Sequence, residues 1–190
     1  MSSKPLDLTR VSRTVSHALR HEPWLYELEL DDRGWTDVEA LLAALRPEQP
    51  AWATRGVQDL VAMIESSSKR RYELAGGRIR ALYGHSVPER LLKVPAPPPE
   101  HLFHGTAPAV VPDIQKGGLL PMGRQYVHLS VSRDEAVAVG RRKAPVPVIL
   151  SVRAHDAWKD GVAFYSGNER VWLADRVPWT YIEPDARRET

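Results

Sequence analysis

Three short stretches of the chain carry side chains able to grip a phosphate group. Arg20 stands beside His21; Lys69, Arg70, Arg71, Arg78 and Arg80 crowd the segment 69–80 around the single acid Glu73; Arg141, Arg142 and Lys143 follow one another. A guanidinium stays charged at any working pH and its planar fork matches two phosphate oxygens, so arginine neutralises and orients but cannot act as a base. His21 titrates near neutrality and is the member of this set that can carry a proton. Each cluster also has a plainer reading. Cations at 20–21 and 141–143 follow candidate helices, where they complement the helix dipole. If a turn is centred on Gly76-Gly77, Glu73 lies opposite Arg80 and the two form an exposed cross-strand ion pair. Alternation also puts Arg78 and Arg80 on one strand face, and that face could meet phosphates instead.

Two further histidines, His104 in Leu102-Phe103-His104-Gly105-Thr106 and His128 in Val127-His128-Leu129-Ser130, sit in short apolar stretches. A hydrogen-bonded core histidine is the usual outcome there, and neither has the paired spacing of a metal site, so no metal is expected. The chain has no cysteine, which excludes disulfides, thiolate-held metals and thiol nucleophiles, and suits the cytoplasm. No apolar run is long enough to span a membrane, and the first nine residues lack a signal peptide's apolar core. With 190 residues, 43% of them hydrophobic and 26% charged, the composition is that of a folded protein with a real core. The net charge is only +2, which alone speaks against a nucleic-acid partner.

These residues need elements to hold them. Leu8, Val11, Val15 and Leu19 recur at helical spacing up to Arg20-His21, and Pro23 stops the helix. Thr36-Asp37-Val38-Glu39 reads as a capping box for a helix to Arg46, and Thr54 to about Ser67 as a third helix burying Val57, Leu60, Val61 and Ile64. Arg71–Leu74 and Arg78–Ala81 flank Ala75-Gly76-Gly77 as a hairpin. Three helices and a hairpin wing form the pattern of a winged helix. Five prolines between Val87 and Glu100 then make a stiff spacer, dividing the chain into lobes 1–92 and 101–190 around a linker at 93–100. The second lobe mixes short strands, among them Val146–Val152 and Arg170–Leu173, with helices near Val110–Lys116 and from a second capping box at Ser132-Arg133-Asp134-Glu135 to about Arg142. Without βαβ alternation or a glycine fingerprint the fold class is α+β.

Taken in order, the motifs resemble those of the RNA 2′-phosphotransferases of the KptA type. They are Leu19-Arg20-His21 with Pro23, Lys69-Arg70-Arg71-Tyr72, Ile79-Arg80-Ala81 with Gly84-His85-Ser86, Leu102–Thr106, Gly118–Arg124, Val127–Ser130, Gly140-Arg141-Arg142 and Val171-Trp172-Leu173-Ala174-Asp175. Leu82-Tyr83 replaces an expected Asn-Gln, and Lys143-Ala144 an expected His-Gly.

The resemblance implies an N-terminal winged-helix RNA-binding lobe and a C-terminal lobe similar to the ADP-ribosyltransferase fold that binds NAD⁺. It implies removal of an internal RNA 2′-phosphate through an RNA-2′-phospho-ADP-ribose intermediate, giving 2′-OH RNA, nicotinamide and ADP-ribose 1″,2″-cyclic phosphate. Carried over motif by motif, the catalytic set is Arg20, His21, Arg80 and Arg142, and the NAD⁺ contacts are His104, Gly105, Thr106, His128 and Ser130. The partners implied are NAD⁺ and RNA, met by a cytoplasmic monomer acting in tRNA processing. Two alternatives stand beside this one. The chain could ADP-ribosylate terminal phosphates of RNA or DNA, or it could be a winged-helix binding protein without catalysis.

Overall fold

The computed structural model describes residues 8–48, 52, 53 and 55–185. The chain divides into two compact units, Met1–Leu92 and Lys93–Thr190.

In the first unit α1 (Leu8–Arg20) buries Val11, Val15, Ala18 and Leu19, as its apolar spacing requires. Pro23 opens a single 3-10 turn, Pro23–Tyr26, and so ends the helix. The second helix begins later than its apparent capping box. Thr36–Asp37 is instead a two-residue strand, β1, and α2 runs Val38–Glu48, through Pro47 in its last turn. Thr36 is buried in the sheet, and the first helical N–H, that of Val38, is satisfied by the Gly77 carbonyl at 2.9 Å. Helix α3 (Val57–Glu65) starts at Gly56, whose N–H donates to the Asp59 carboxylate at 3.0 Å. Thr54, the expected start, lies outside the described residues. The buried stripe is Leu60 and Met63, whereas Val57 is exposed and Val61 and Ile64 only half-buried. At its first turn Val57 faces outward because Leu60 and Met63, one turn apart, take the core side.

Strands β2 (Tyr72–Ala75) and β3 (Arg78–Ala81) pair antiparallel across Gly76-Gly77, both at positive φ as a tight hairpin turn demands. β1 adds to the other side of β3, giving the order β1-β3-β2. One core joins Leu19, Leu41, Leu42, Leu45, Trp52, Leu60, Tyr72 and Ile79.

The second unit is built on one antiparallel sheet of six strands: β4 (His101–Thr106), β5 (Val127–Ser130), β6 (Val148–Arg153), β7 (Phe164–Ser166), β8 (Val171–Ala174) and β9 (Ile182–Pro184). Their order is β7-β8-β5-β4-β6-β9. Helices α4 (Val111–Gly117), α5 (Arg133–Gly140) and α6 (Ala154–Lys159) accompany it. Ser132 caps α5 by accepting the Glu135 N–H at 3.3 Å. The helix is shorter than its pattern suggests, so Arg141 is its C-cap and Arg142 lies beyond it. The Pro-rich stretch carries no helix or strand, and its Ala96 N–H donates to the Phe164 carbonyl at 2.9 Å. The chain is thus a mixed α+β protein, each unit with its own sheet, helices and core.

Candidate active site

Arg20 and His21 leave the end of α1 in an orientation fixed by the segment after the hairpin. The Ser86 N–H donates to the Arg20 carbonyl at 2.8 Å, and the Ser86 hydroxyl meets His21 Nδ1 at 2.8 Å. With Nδ1 so engaged, any proton the ring exchanged with a ligand would pass through Nε2. The Arg20 guanidinium lies against two aromatic rings, 5.5 Å from the centroid of Tyr72 and 5.3 Å from that of Tyr83. Its Nη2 donates to the Arg71 carbonyl at 3.5 Å. Tyr83, one of the two residues standing in place of Asn-Gln, therefore helps hold this arginine.

The two arginines of β3 are committed to the fold. Arg80 donates from Nε and Nη2 to the Glu73 carboxylate, at 2.8 and 2.6 Å, and its guanidinium stacks 4.6 Å from the Trp35 ring. Arg78 pairs with Asp31 at 3.0 Å and donates to the Trp35 carbonyl at 3.2 Å. Asp31 in turn accepts the N–H groups of Arg33 and Trp35, each at 2.9 Å. Partial burial pushes its carboxyl upward, but these two N–H groups and Arg78 outweigh that and hold it below the ordinary aspartate value. Asp31, Arg78, Trp35 and Arg80 thus tie the loop after α1 to the hairpin.

Arg71, not Arg80, shares a cleft with His21. This cleft, about 560 Å³, is lined by Thr9, Ser12, Arg13, Ser16, His17 and His21 on the α1 side and by Met63, Ser66, Ser67 and Arg71 opposite. Arg71 is steadied by donating from Nη1 to the Ser67 hydroxyl at 2.9 Å. Its place one residue before β2 is the signal that could have found it: there the chain passes from the end of α3 into the sheet, beside the end of α1.

In the second unit His104 on β4 and His128 on the neighbouring β5 are linked through the main chain. His104 Nδ1 meets the His128 carbonyl at 3.0 Å, and His128 Nδ1 meets the Tyr126 carbonyl at 2.9 Å. Both Nδ1 atoms must therefore be the protonated ones, because a carbonyl only accepts. Burial in the sheet lowers the His104 pKa; the hydrogen bond to the His128 carbonyl opposes this, and the Lys143 charge adds to the lowering. A neutral His104 with its Nδ1 proton fixed presents Nε2 as an acceptor, which suits the hydroxyl of a ribose or the N–H of a carboxamide. Thr106 and Ser130 are buried on the same two strands. Gly105 serves packing: a Cβ there would lie 1.9 Å from the Ala136 carbonyl oxygen of α5. Arg142 is exposed beyond α5, its N–H bonded to the Val139 carbonyl at 3.2 Å.

Among the described residues no group of His, Asp or Glu is gathered as metal ligands, and no helix is long and apolar enough to cross a membrane. A cationic, hydroxyl-lined cleft beside a fixed arginine–histidine pair has the chemistry to receive a phosphate ester. Comparison with known proteins names the group. The family model of the RNA 2′-phosphotransferase, Tpt1 / KptA family, matches residues 7–176, and the chain belongs to that family. A protein of Acetivibrio thermocellus named "Probable RNA 2′-phosphotransferase" is 50% identical over 177 residues, 93% of this chain and 97% of that one. Proteins with the same name are 51% identical over 174 residues in Bacillus thuringiensis subsp. konkukian and 40% identical over 185 residues in Pseudomonas aeruginosa. The match covers 92% and 96% of this chain and 94% and 98% of those relatives. Membership in an enzyme family sets aside the reading as a binding protein without catalysis.

Proposed function

We infer that the chain is an NAD⁺-dependent RNA 2′-phosphotransferase, moving an internal RNA 2′-phosphate to NAD⁺ and leaving a 2′-hydroxyl. The family match over residues 7–176 carries this conclusion. NAD⁺ is consumed, so it is a substrate rather than a resident group. In the first unit the three helices and hairpin support a winged-helix RNA lobe; in the second, the antiparallel six-stranded sheet with His104 and His128 on adjacent central strands supports an ADP-ribosyltransferase-like NAD⁺ lobe. We take the enzyme to act as a cytoplasmic monomer.

The chemistry explains why a site rich in arginine needs no carboxylate base. A 2′-phosphate is already an anion near neutrality, with a second pKa of about 6, so no base is needed to make it attack the anomeric carbon of the nicotinamide ribose and expel nicotinamide. In the second step the ribose 2″-hydroxyl attacks phosphorus and the bond to the RNA 2′-oxygen breaks. One oxygen loses a proton and the other gains one, and charge builds on the phosphoryl oxygens. We assign the proton transfer to His21 Nε2. Arg20, Arg71 and Arg142 are assigned to hold and neutralise the phosphate. Arg71 takes the role first expected of Arg80 because it lines the cleft with His21, whereas Arg80 already has Glu73 as its counter-ion. His104, Thr106, His128 and Ser130 are assigned to orient NAD⁺, and Gly105 to the packing that places its strand.

The test offers labelled NAD⁺ with oligonucleotides bearing either an internal 2′-phosphate or a 5′-terminal phosphate. Nicotinamide release with dephosphorylated RNA from the first is the expected outcome. A stable ADP-ribosylated product, without dephosphorylation, would replace this reading with terminal-phosphate ADP-ribosylation.

A further inference from the structure

The cleft beside His21 is larger than one phosphate needs, and its far end has no part in the chemistry above. Along α1 the residues Arg13, His17 and His21 stand at intervals of four, which places them in a row on one helix face. Ser12 and Ser16 line the cleft beside them, and Ser66 and Ser67 line it from the end of α3. No Asp or Glu is among the described residues lining this cleft, although the chain holds 24 acids. Arg13, at the end away from His21, is exposed and has no carboxylate partner among the described residues. His17 is set between the Tyr26 hydroxyl at 3.1 Å and the Glu22 carboxylate at 2.9 Å, so its ring forms a fixed wall between the two ends.

A groove with cations at both ends, hydroxyls along its walls and no acid among its described lining residues suits a chain of phosphates rather than one. From Arg13 to His21 is about 12 Å at the helical rise of about 1.5 Å per residue. A stacked nucleic-acid strand, with one charge per about 3.4 Å of axis, crosses that distance in about three nucleotides. Resting on the assignment of the 2′-phosphate to the His21 end, we propose that this groove is an extended RNA subsite. It holds the phosphodiester backbone of the strand leading away from the modified nucleotide, with Arg13 gripping a phosphate about three nucleotides along. Recognition is therefore lopsided, extending to one side of the 2′-phosphate and reading backbone instead of bases.

The experiment compares the full chain with its Arg13→Ala variant. Arg13 is an exposed helix position where alanine is the best helix former, so the variant folds. Three substrates carry the same internal 2′-phosphate: a dinucleotide, and the dinucleotide extended by four residues on its 5′ or its 3′ side. In the parent, one extension and not the other is expected to lower KM by about tenfold, the worth of a charge-assisted contact. R13A is expected to erase that gain while leaving kcat/KM on the dinucleotide within about twofold. Equal KM for all three substrates in the parent, or equal damage by R13A to short and long ones, would overturn the subsite. Failure of the parent on every substrate would instead overturn the assigned reaction, and a second measurement then still tests the groove. The affinity for an unphosphorylated oligonucleotide is followed against salt; R13A is expected to flatten the log–log slope by about 0.7, the contribution of one single-strand phosphate contact. An unchanged slope would overturn the subsite whatever the reaction.

Discussion

Arg71 and Arg80 carry the same charge nine positions apart and have opposite fates in the fold. Arg80 sits on a strand opposite Glu73 and beside Trp35, so its charge is spent inside the protein. Arg71 precedes the strand and lines a cleft with no acid among its described lining residues. Their alanine variants should separate accordingly. Arg71→Ala is expected to slow turnover by at least about a hundredfold, as loss of one transition-state donor does. It should also accumulate the RNA-2′-phospho-ADP-ribose intermediate, because transesterification loads charge onto phosphorus more than the first attack does. Arg80→Ala is expected to keep turnover within about threefold and to lose about 1 kcal/mol of stability from the ion pair and the stack. Quenched-flow separation of RNA species and thermal melts read both outcomes. Loss of turnover in a fully folded R80A would return Arg80 to the clamp. Local spacing did place Arg78 and Arg80 on one face. What it lacked was Asp31 and Trp35, which reach that face from a loop far back in the chain.

Elements decide which side chains can meet. Helix α1 and the β2–β3 hairpin follow directly from apolar spacing and the Gly76-Gly77 turn, since each is stabilised by its own local sequence. Strand β1, α6, β7 and β9 have no such signature. β1 is two residues long, and the edge strands β7 and β9 have three each, too short for alternation to register. For the same reason Thr36-Asp37 looked like a helix cap: residue type reveals a willing hydroxyl, but β3 claims that segment through long-range pairing. His104 and His128 were visible as motifs, whereas the hydrogen bond that joins their strands depends on β4 lying next to β5. The packing of α5 on β4 is equally non-local and rests on two glycines. Gly105 approaches the Ala136 carbonyl, and a Cβ on Gly140 would meet Pro147 at 2.6 Å and the Gly105 Cα at 3.2 Å. Gly105→Ala must push backbone away from backbone, with no flexible side chain to yield, and is expected to destabilise by about 3 kcal/mol. Denaturant unfolding of the variant reads this cost. A loss under about 0.5 kcal/mol, together with weaker NAD⁺ binding, would mean that Gly105 serves the ligand rather than the helix.

At the scale of the whole molecule the small net charge stops being an argument against RNA. With 26 basic and 24 acidic side chains the surface cannot act as a broad cationic plate, and many of its arginines are held in pairs, among them Arg55–Asp59, Arg78–Asp31, Arg80–Glu73 and Arg133–Asp185. Within the cleft the charge is local: Arg71 stands near one end, with the Arg20 guanidinium bonded to its carbonyl, and Arg13 near the other. Two phosphates held on a single strand, the 2′-phosphate and the one at Arg13, give a log–log salt slope of about −1.4, so affinity for RNA should fall about sevenfold between 50 and 200 mM salt. Proteins that neutralise six to ten phosphates lose about a thousandfold or more over the same range. KM for a 2′-phosphorylated oligonucleotide, measured across that range with NAD⁺ saturating, distinguishes the two regimes. A thousandfold rise would reveal a basic surface that the paired arginines conceal and would move recognition away from the cleft. A sevenfold rise means that few charges, correctly placed, suffice for a substrate distinguished by one phosphate.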